Sequence, residues 1–133
     1  MYGQVKRVLI VDDDEGARDF VSAIMMGEGW EVLEAVNGLE AVEMAEVEHP
    51  DLIILDIMMP KMDGLEALRR LRLDFFTKDI PVIMLTAINR IEGEGAYSEE
   101  SLEKRLGVRR PEGYVDKPVD PDFLRSTVFG VMG

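Results

Sequence analysis

The sequence predicts a doubly wound α/β fold, in which helices cover both faces of a five-stranded parallel sheet. Residues 8–11, 52–55 and 81–87 form nearly continuous apolar runs. Such runs are typical of strands buried on both faces, because a strand with one wet face alternates apolar and polar residues. Strand and helix patterns alternate along the chain with short connections, which favours a parallel sheet with right-handed crossovers.

Length and composition indicate one domain spanning residues 1–133. The chain is long enough to bury a core without disulfides, and it contains no cysteine. Its net charge of −12, from 27 acidic and 15 basic residues, disfavours direct nucleic-acid binding, which needs a concentrated basic face. The first apolar run ends at Asp12 and is neither a signal peptide nor a membrane span. We therefore expect a soluble, cytoplasmic protein without a membrane partner.

Apolar residues at helical spacing predict the buried faces of the first three helices. The first helix starts near Asp14 or Glu15, and Asp63 caps the third, because aspartate is a favoured N-terminal cap. The second ends at His49-Pro50, since the residue before a proline avoids the helical region. The residues expected to face the core are Ala17, Phe20, Val21, Ile24 and Met25 in the first helix, Leu39, Val42 and Ala45 in the second, and Leu65, Leu68, Leu71 and Phe75 in the third.

The other elements have weaker patterns. Residues 30–36 include two glutamates and indicate an edge strand. Residues 98–107 predict a short helix with a serine cap, and residues 114–115 predict the last strand. A final helix starts at Asp120 or Asp122. Its expected core residues are Phe123, Leu124, Val128 and Val131.

Polar side chains stand at the carboxyl ends of the predicted strands. Asp12 and Asp13 follow the first strand, and Asp56 ends the third. Thr86 ends the fourth strand and Lys117 follows the fifth. In a parallel sheet these ends share one rim, where open α/β sheets bind ligands. Carboxylates about 5 Å apart repel by roughly 3 kcal/mol at an effective dielectric of about 20, so the three acids need a cation. An all-oxygen, thiol-free set of ligands favours Mg²⁺ over zinc.

The ordered set of motifs resembles the receiver domain of two-component response regulators, of the chemotaxis-regulator type. The set comprises the acidic pair, Leu-Asp-Ile-Met-Met-Pro-Lys-Met-Asp-Gly at residues 55–64, Thr-Ala after the fourth strand and Lys-Pro after the fifth. Each motif alone is weak, but together they cover nearly the whole chain. The resemblance implies a flavodoxin-like sheet with strand order 2-1-3-4-5.

The resemblance also implies a signalling phosphoacceptor that assists its own phosphorylation and dephosphorylation, and not an enzyme in the usual sense. Asp56 would be the nucleophile that takes a phosphoryl group from the phosphohistidine of a histidine kinase. Lys117 and Thr86 would contact the phosphoryl oxygens, because phosphoryl transfer mainly needs alignment and charge neutralisation. The family further implies a cis peptide bond between Lys117 and Pro118.

The resemblance implies a Mg²⁺ site made from the acidic rim. Asp13 and Asp56 would bind the ion directly, with the backbone carbonyl of Met58 as a third ligand. Asp12 would act largely through water. Asp14, although adjacent, is expected to cap the first helix, because aspartate strongly favours that position.

A switch between two surface states is the expected output. By resemblance, Thr86 turns toward the phosphoryl group and Tyr114 follows into the space it leaves, which alters the surface of the fourth helix and fifth strand. The expected partners are a sensor histidine kinase or phosphotransfer protein and a downstream protein target. A homodimer that forms on phosphorylation is a further option.

Two other functions compete with this interpretation. A haloacid-dehalogenase-like phosphatase also uses a strand-end aspartate with Mg²⁺, but it needs a second acid two residues later, where this chain has Met58. A pseudo-receiver would bind partners without phosphorylation, yet an unused cluster of charges is a stability cost. Residues 88–112 form a longer connection than most receivers have, and the sequence does not assign it a role.

Overall fold

The computed structural model describes residues 5–59, 61–86, 104 and 107–133. The helix predicted at residues 98–107 lies outside the described residues, except for Lys104 and Gly107. In chain order, the strands and helices are β1 (Arg7–Val11), α1 (Glu15–Gly27), β2 (Glu31–Ala35), α2 (Gly38–Glu48), β3 (Leu52–Asp56), α3 (Gly64–Leu73), β4 (Val82–Thr86), β5 (Gly113–Asp116) and the last helix (Pro121–Met132).

The strands form one parallel sheet in the order β2-β1-β3-β4-β5. This order confirms the predicted fold. β1, β3 and β4 are central strands and are almost entirely apolar, whereas β2 lies at an edge and carries exposed Glu31 and Glu34. The contrast follows from burial, because a central strand is covered on both faces and an edge strand meets solvent.

Each face of the sheet has its own hydrophobic core. Alternate residues of β1 enter opposite cores, as the two-residue period of a strand requires. Leu9 and Val11 pack with α2 and α3, whereas Val8 and Ile10 pack with α1 and the last helix. Within the described ranges, no helix combines the length and the apolar character that crossing a bilayer would need.

Aspartate and asparagine side chains begin the helices. The caps are Asp14 for α1, Asn37 for α2, Asp63 for α3 and Asp120 for the last helix, and each accepts a hydrogen bond from the amide three residues later. These contacts satisfy amides that have no partner inside the helix. The predicted caps of the first and third helices are therefore confirmed, and Asp120 is the cap of the last helix.

Several large apolar residues that were predicted to be buried are exposed. Phe20, Leu39 and Phe123 are each about half exposed, and Phe75 is 75% exposed. Phe75 lies beyond the end of α3, where its ring packs edge-on against that of Phe76. In α1, Val21, Ile24 and Met25 fill the space against the sheet. The predicted apolar stripes were thus wider than the faces that the sheet covers.

Two glycines allow α2 and α3 to start close to the loop that follows β3. A Cβ atom on Gly64 would lie 2.3 Å from the carbonyl oxygen of Asp56, and one on Gly38 would lie 2.2 Å from that of Met62. Both glycine amides instead donate to this loop, from Gly64 to Ile57 and from Gly38 to Met62. The loop that leaves Asp56 is therefore fixed by backbone contacts that any larger side chain would prevent.

A buried arginine joins α3 to the start of β5, at the end of the sheet opposite the acidic rim. The side chain of Arg72 is 2% exposed and donates to the carboxylate of Glu112 at 2.7 Å. It also donates to the carbonyls of Ile80 and Arg110 at 2.9 and 3.1 Å. Burial lowers the pKa of Arg72, which Glu112 opposes, and the guanidinium stays protonated because arginine is not deprotonated in proteins.

We expect Glu112→Gln to destabilise the protein at neutral pH by about 2 kcal/mol, because a buried cation loses its counter-ion. Burial raises the pKa of Glu112, but the bonds from Val82 and Arg72 outweigh this, so its pKa is below the ordinary value. The stabilisation is therefore complete above the ordinary glutamate pKa and disappears as the pH falls through the lowered pKa. Urea unfolding measured across the acid range tests this.

The control for this prediction is Glu28→Gln. Glu28 pairs with Arg125 at 3.3 Å, and both side chains are well exposed. Exposed pairs contribute little, so this variant should change the free energy of unfolding by less than about 0.5 kcal/mol. Equal effects of the two substitutions would show that the Arg72 contact is not an effective buried ion pair.

Candidate functional site

The sheet places the acids of the two neighbouring central strands next to each other. Val11 of β1 is in register with Leu55 of β3, so Asp12 and Asp56 come next at the same rim. Asp12 is 1% exposed and Asp56 is 3% exposed, whereas Asp13 is exposed. The three side chains offer carboxylate oxygens that all lie within 4.8 Å of one another. The predicted acidic cluster is therefore present in the structure.

Lys117 reaches this cluster from the residue after β5. Its Nζ atom lies 3.2 Å from Oδ2 of Asp12 and 3.2 Å from Oδ1 of Asp56. The backbone amide of Lys117 donates to the carbonyl of Thr86 at 2.8 Å, and the bond between Lys117 and Pro118 is cis, as predicted. The ammonium group thus bridges the two buried carboxylates.

Burial and like charge act together on Asp56. Burial raises its pKa most, Lys117 opposes this, and the nearby Asp12 raises the pKa further, so the net pKa of Asp56 is above the ordinary value. Burial lowers the pKa of Lys117, but the two carboxylates outweigh it and the net pKa of Lys117 is raised. Because the cluster holds more negative than positive charge, it favours an additional cation.

The chemistry of the donor atoms fits a hard divalent cation. The described cluster offers only carboxylate oxygens, and Mg²⁺ prefers a small number of carboxylates with water completing its coordination. Asp12, Asp13 and Asp56 are the residues that would hold it. At 4.8 Å, each pair of charges repels by about 3 kcal/mol at an effective dielectric near 20, and a divalent ion would relieve this.

Asp14 has a structural role beside the acids. Its Oδ2 accepts from the amide of Ala17 at 2.7 Å, and its own amide donates to Oδ1 of Asp12 at 3.0 Å. The predicted assignment as a helix cap is confirmed. The hydrogen bond from the Asp14 amide also helps to orient the carboxylate of Asp12.

Three further predicted site residues lie on this part of the sheet. The amide of Met58 approaches Oδ1 of Asp56 at 3.4 Å, while its side chain is exposed. Thr86 is buried at the end of β4, one residue beyond Leu85, the register partner of Asp56. Tyr114 is half-buried on β5 and packs against the same core as Met84. The ligand role of the Met58 carbonyl and the movement of Thr86 and Tyr114 stay predictions.

An apolar cavity of about 280 Å³ opens beside the acidic cluster. Phe20 of α1 and Pro118 form part of its walls, and Asp12 and Lys117 line it as well. Phe20, which the helical pattern assigned to the core, instead lines this cavity with its side chain about half exposed.

Sequence reasoning missed Arg18, which contacts the backbone of the acidic pair. Its Nη1 donates to the carbonyl oxygen of Asp12 at 2.9 Å, and its Nε donates to Oε1 of Glu34 at 2.6 Å. The available signal was its position four residues after Asp14, one helical turn above the cap. A charged residue there points back toward the start of α1 and hence toward the acids.

Comparison with known proteins shows which protein family has this fold and this sequence pattern. A family model described as the response regulator receiver domain matches residues 8–129. The sporulation initiation phosphotransferase F of Bacillus subtilis is 37% identical over 92% of this chain and 90% of its own length. The chemotaxis protein CheY4 of Vibrio cholerae has a solved structure that is 32% identical, with a TM-score of 0.81 over 97% of this chain and all of that chain.

The chain belongs to the response regulator receiver family and is homologous to phosphoacceptor response regulators. The DNA-binding dual master transcriptional regulator RpaA of Synechocystis is 46% identical over 77% of this chain, but the match covers 44% of its length. The chain thus spans about half the length of the transcriptional regulators that it matches. None of these matches favours the phosphatase or the pseudo-receiver.

Proposed function

We propose that this chain is a single receiver domain that is switched by phosphorylation of Asp56. The observation that carries this proposal is the bridge from Lys117 to Asp12 and Asp56, with both contacts at 3.2 Å, inside a cluster of three acids. This arrangement joins a candidate nucleophile to an ammonium group and to ligands for a divalent cation.

In the proposed reaction, a carboxylate oxygen of Asp56 forms a bond to phosphorus while the bond from phosphorus to the donor's imidazole nitrogen breaks. The imidazole takes up a proton from water as it leaves. Asp13, Asp56 and the carbonyl of Met58 would hold Mg²⁺, with Asp12 acting largely through water, and the ion would supply positive charge for the phosphoryl oxygens. The positions of these acids at one rim support the assignment.

We propose that Lys117 and Thr86 then bind the phosphoryl oxygens. Lys117 already lies within hydrogen-bonding distance of Asp56, so only a small shift would bring its ammonium to the new charge. Thr86 ends the neighbouring strand, and Tyr114 lies on the same face of the next strand. A change at Thr86 can therefore reach Tyr114 through adjacent side chains, which supports the proposed switch.

We propose a sensor histidine kinase or phosphotransfer protein as the phosphoryl donor and a second protein as the target. The apolar cavity formed by Phe20 and Pro118 borders Asp12 and Lys117, so a side chain of the donor protein could fill it while the phosphohistidine faces Asp56. The altered surface near β5 would bind the target or a second copy of the chain.

Incubation with acetyl phosphate and Mg²⁺ tests the proposed function. We expect an intact-mass gain of one phosphoryl group, and we expect EDTA to prevent it because the acids would lack the cation that aligns the donor. Ca²⁺ carries the same charge as Mg²⁺ but is larger and less strict in its coordination geometry. Replacing Mg²⁺ by Ca²⁺ therefore tests whether charge alone supports phosphorylation. A mass gain that is unaffected by EDTA would contradict the metal-dependent reaction.

A further inference from the structure

Arg18 connects the acidic pair to the edge strand β2. The side chain is 13% exposed, and its Nη1 donates to the carbonyl oxygen of Asp12 while its Nε pairs with Glu34. The amide of Asp12 also bonds to β2, because it donates to the carbonyl of Ala35 at 3.2 Å. Both backbone polar groups of Asp12 are thus attached to β2, one directly and one through Arg18.

We propose that Arg18 is a positioning residue, which holds the backbone of Asp12 and Asp13 in the arrangement that binds the divalent cation. The inference rests on the proposed function, since it concerns the same metal site. The acids repel one another before the cation arrives, and a fixed backbone keeps their oxygens within 4.8 Å despite this repulsion. Contacts behind the metal ligands commonly tune affinity in this way.

The effect of Arg18 acts through geometry and adds little charge to the site. Its guanidinium pairs with Glu34 at 2.6 Å, so the positive charge is already neutralised. The contact that reaches the site is a hydrogen bond to a carbonyl oxygen and not to a carboxylate. A lysine at this position would keep the charge but lack the planar fork that serves two acceptors at once.

Arg7, at the other end of β1, provides a matched control. Its Nη1 pairs with the carboxylate of Glu48 at 3.0 Å, and its Nη2 donates to the carbonyl oxygen of the same residue. Arg7 of β1 therefore binds one carboxylate and one carbonyl oxygen, both of Glu48 on α2, whereas Arg18 of α1 binds one carboxylate and one carbonyl oxygen beside the acids. Removing either arginine loses a similar set of contacts, but only Arg18 lies at the acidic rim.

The test is a calorimetric titration of the whole chain with MgCl2. We expect Arg18→Met to raise the dissociation constant for Mg²⁺ about tenfold, and we expect Arg7→Met to leave it unchanged. Arg18→Lys should resemble Arg18→Met, because one ammonium cannot keep both contacts. In the metal-free protein, the amide of Asp14, which donates to Asp12, should exchange its hydrogen faster in Arg18→Met than in Arg7→Met.

Three outcomes would contradict the proposed role of Arg18. If Arg18→Met and Arg7→Met lose similar stability and bind Mg²⁺ like the wild type, Arg18 has only a structural role and the inference is overturned. If Arg18→Lys bound Mg²⁺ with wild-type affinity, the positive charge of Arg18 and not its two hydrogen bonds would be responsible, which also contradicts the inference. If the wild type itself takes up no Mg²⁺, the proposed metal site fails first and the inference fails with it.

Discussion

Replacing Asp56 by asparagine is expected to abolish phosphoryl uptake from acetyl phosphate. Asparagine has the same shape, but its amide oxygen is not an effective nucleophile toward phosphorus. Asp12 and Asp13 remain in this variant, so any mass gain that persists would place the acceptor at another residue. Intact-mass measurement with acetyl phosphate and Mg²⁺ gives the answer directly.

Asp63→Asn is the control, because Asp63 lies on the loop after β3 and caps α3. Asparagine caps helices as well as aspartate does, so this variant should keep both its stability and its phosphoryl uptake. Loss of uptake in Asp63→Asn would show that the assay responds to the loop and not to the acceptor.

The same Asp56→Asn substitution should stabilise the metal-free protein at neutral pH. The pKa of Asp56 in the folded protein is raised, mainly by burial, above the ordinary aspartate pKa of the unfolded chain. As the pH rises from the ordinary pKa through the raised one, ionisation of Asp56 therefore lowers the free energy of unfolding. Below that range the wild-type side chain is itself neutral, and the gain should vanish. Thermal unfolding in EDTA at acid and neutral pH measures this difference and also shows that the variant folds.

Gly64→Ala is expected to cause the largest loss of stability. Its Cβ would lie 2.3 Å from the carbonyl oxygen of Asp56 and 2.8 Å from the Cα atom of Ile57. Both neighbours are backbone atoms, so the loop or the start of α3 must move, at a cost of about 2–3 kcal/mol. Because the displaced carbonyl belongs to Asp56, phosphorylation should also become slower. Urea unfolding and the rate of mass gain measure the two effects.

Gly130→Ala gives the matched comparison. Gly130 lies inside the last helix, and among the described residues a Cβ there would meet no atom within 4 Å apart from its own helix backbone. Alanine should therefore stabilise the protein by about 0.5–1 kcal/mol, through its better helix propensity. If both glycine substitutions were neutral, the close approach of α3 to Asp56 would not constrain the fold.

The strand order and the acidic rim could be predicted because both depend on short sequence signals. The run at residues 52–55 has no polar residue, so it marks a central strand without knowledge of its neighbours. Asp56 is the next residue along the chain, so it falls at the end of this strand. The parallel topology brings it beside Asp12, whatever conformations the side chains adopt.

The width of the helix faces could not be predicted in the same way. Helical spacing assigns Phe20 and Phe123 to the core, but it does not show how much of each helix the sheet covers. Arg72 presents the opposite case, because its charge suggests solvent although it follows the buried Leu68 by one helical turn. Its partner Glu112 is distant in sequence, so only the fold reveals the pair.

The lysine bridge also affects how the metal-free protein takes up a cation. The ammonium group of Lys117 already contacts Asp12 and Asp56, so it offsets part of their negative charge before any cation binds. A Mg²⁺ ion must then compete with the ammonium of Lys117 for the same carboxylate oxygens. The fraction of protein with Mg²⁺ bound should therefore follow the concentration of free magnesium.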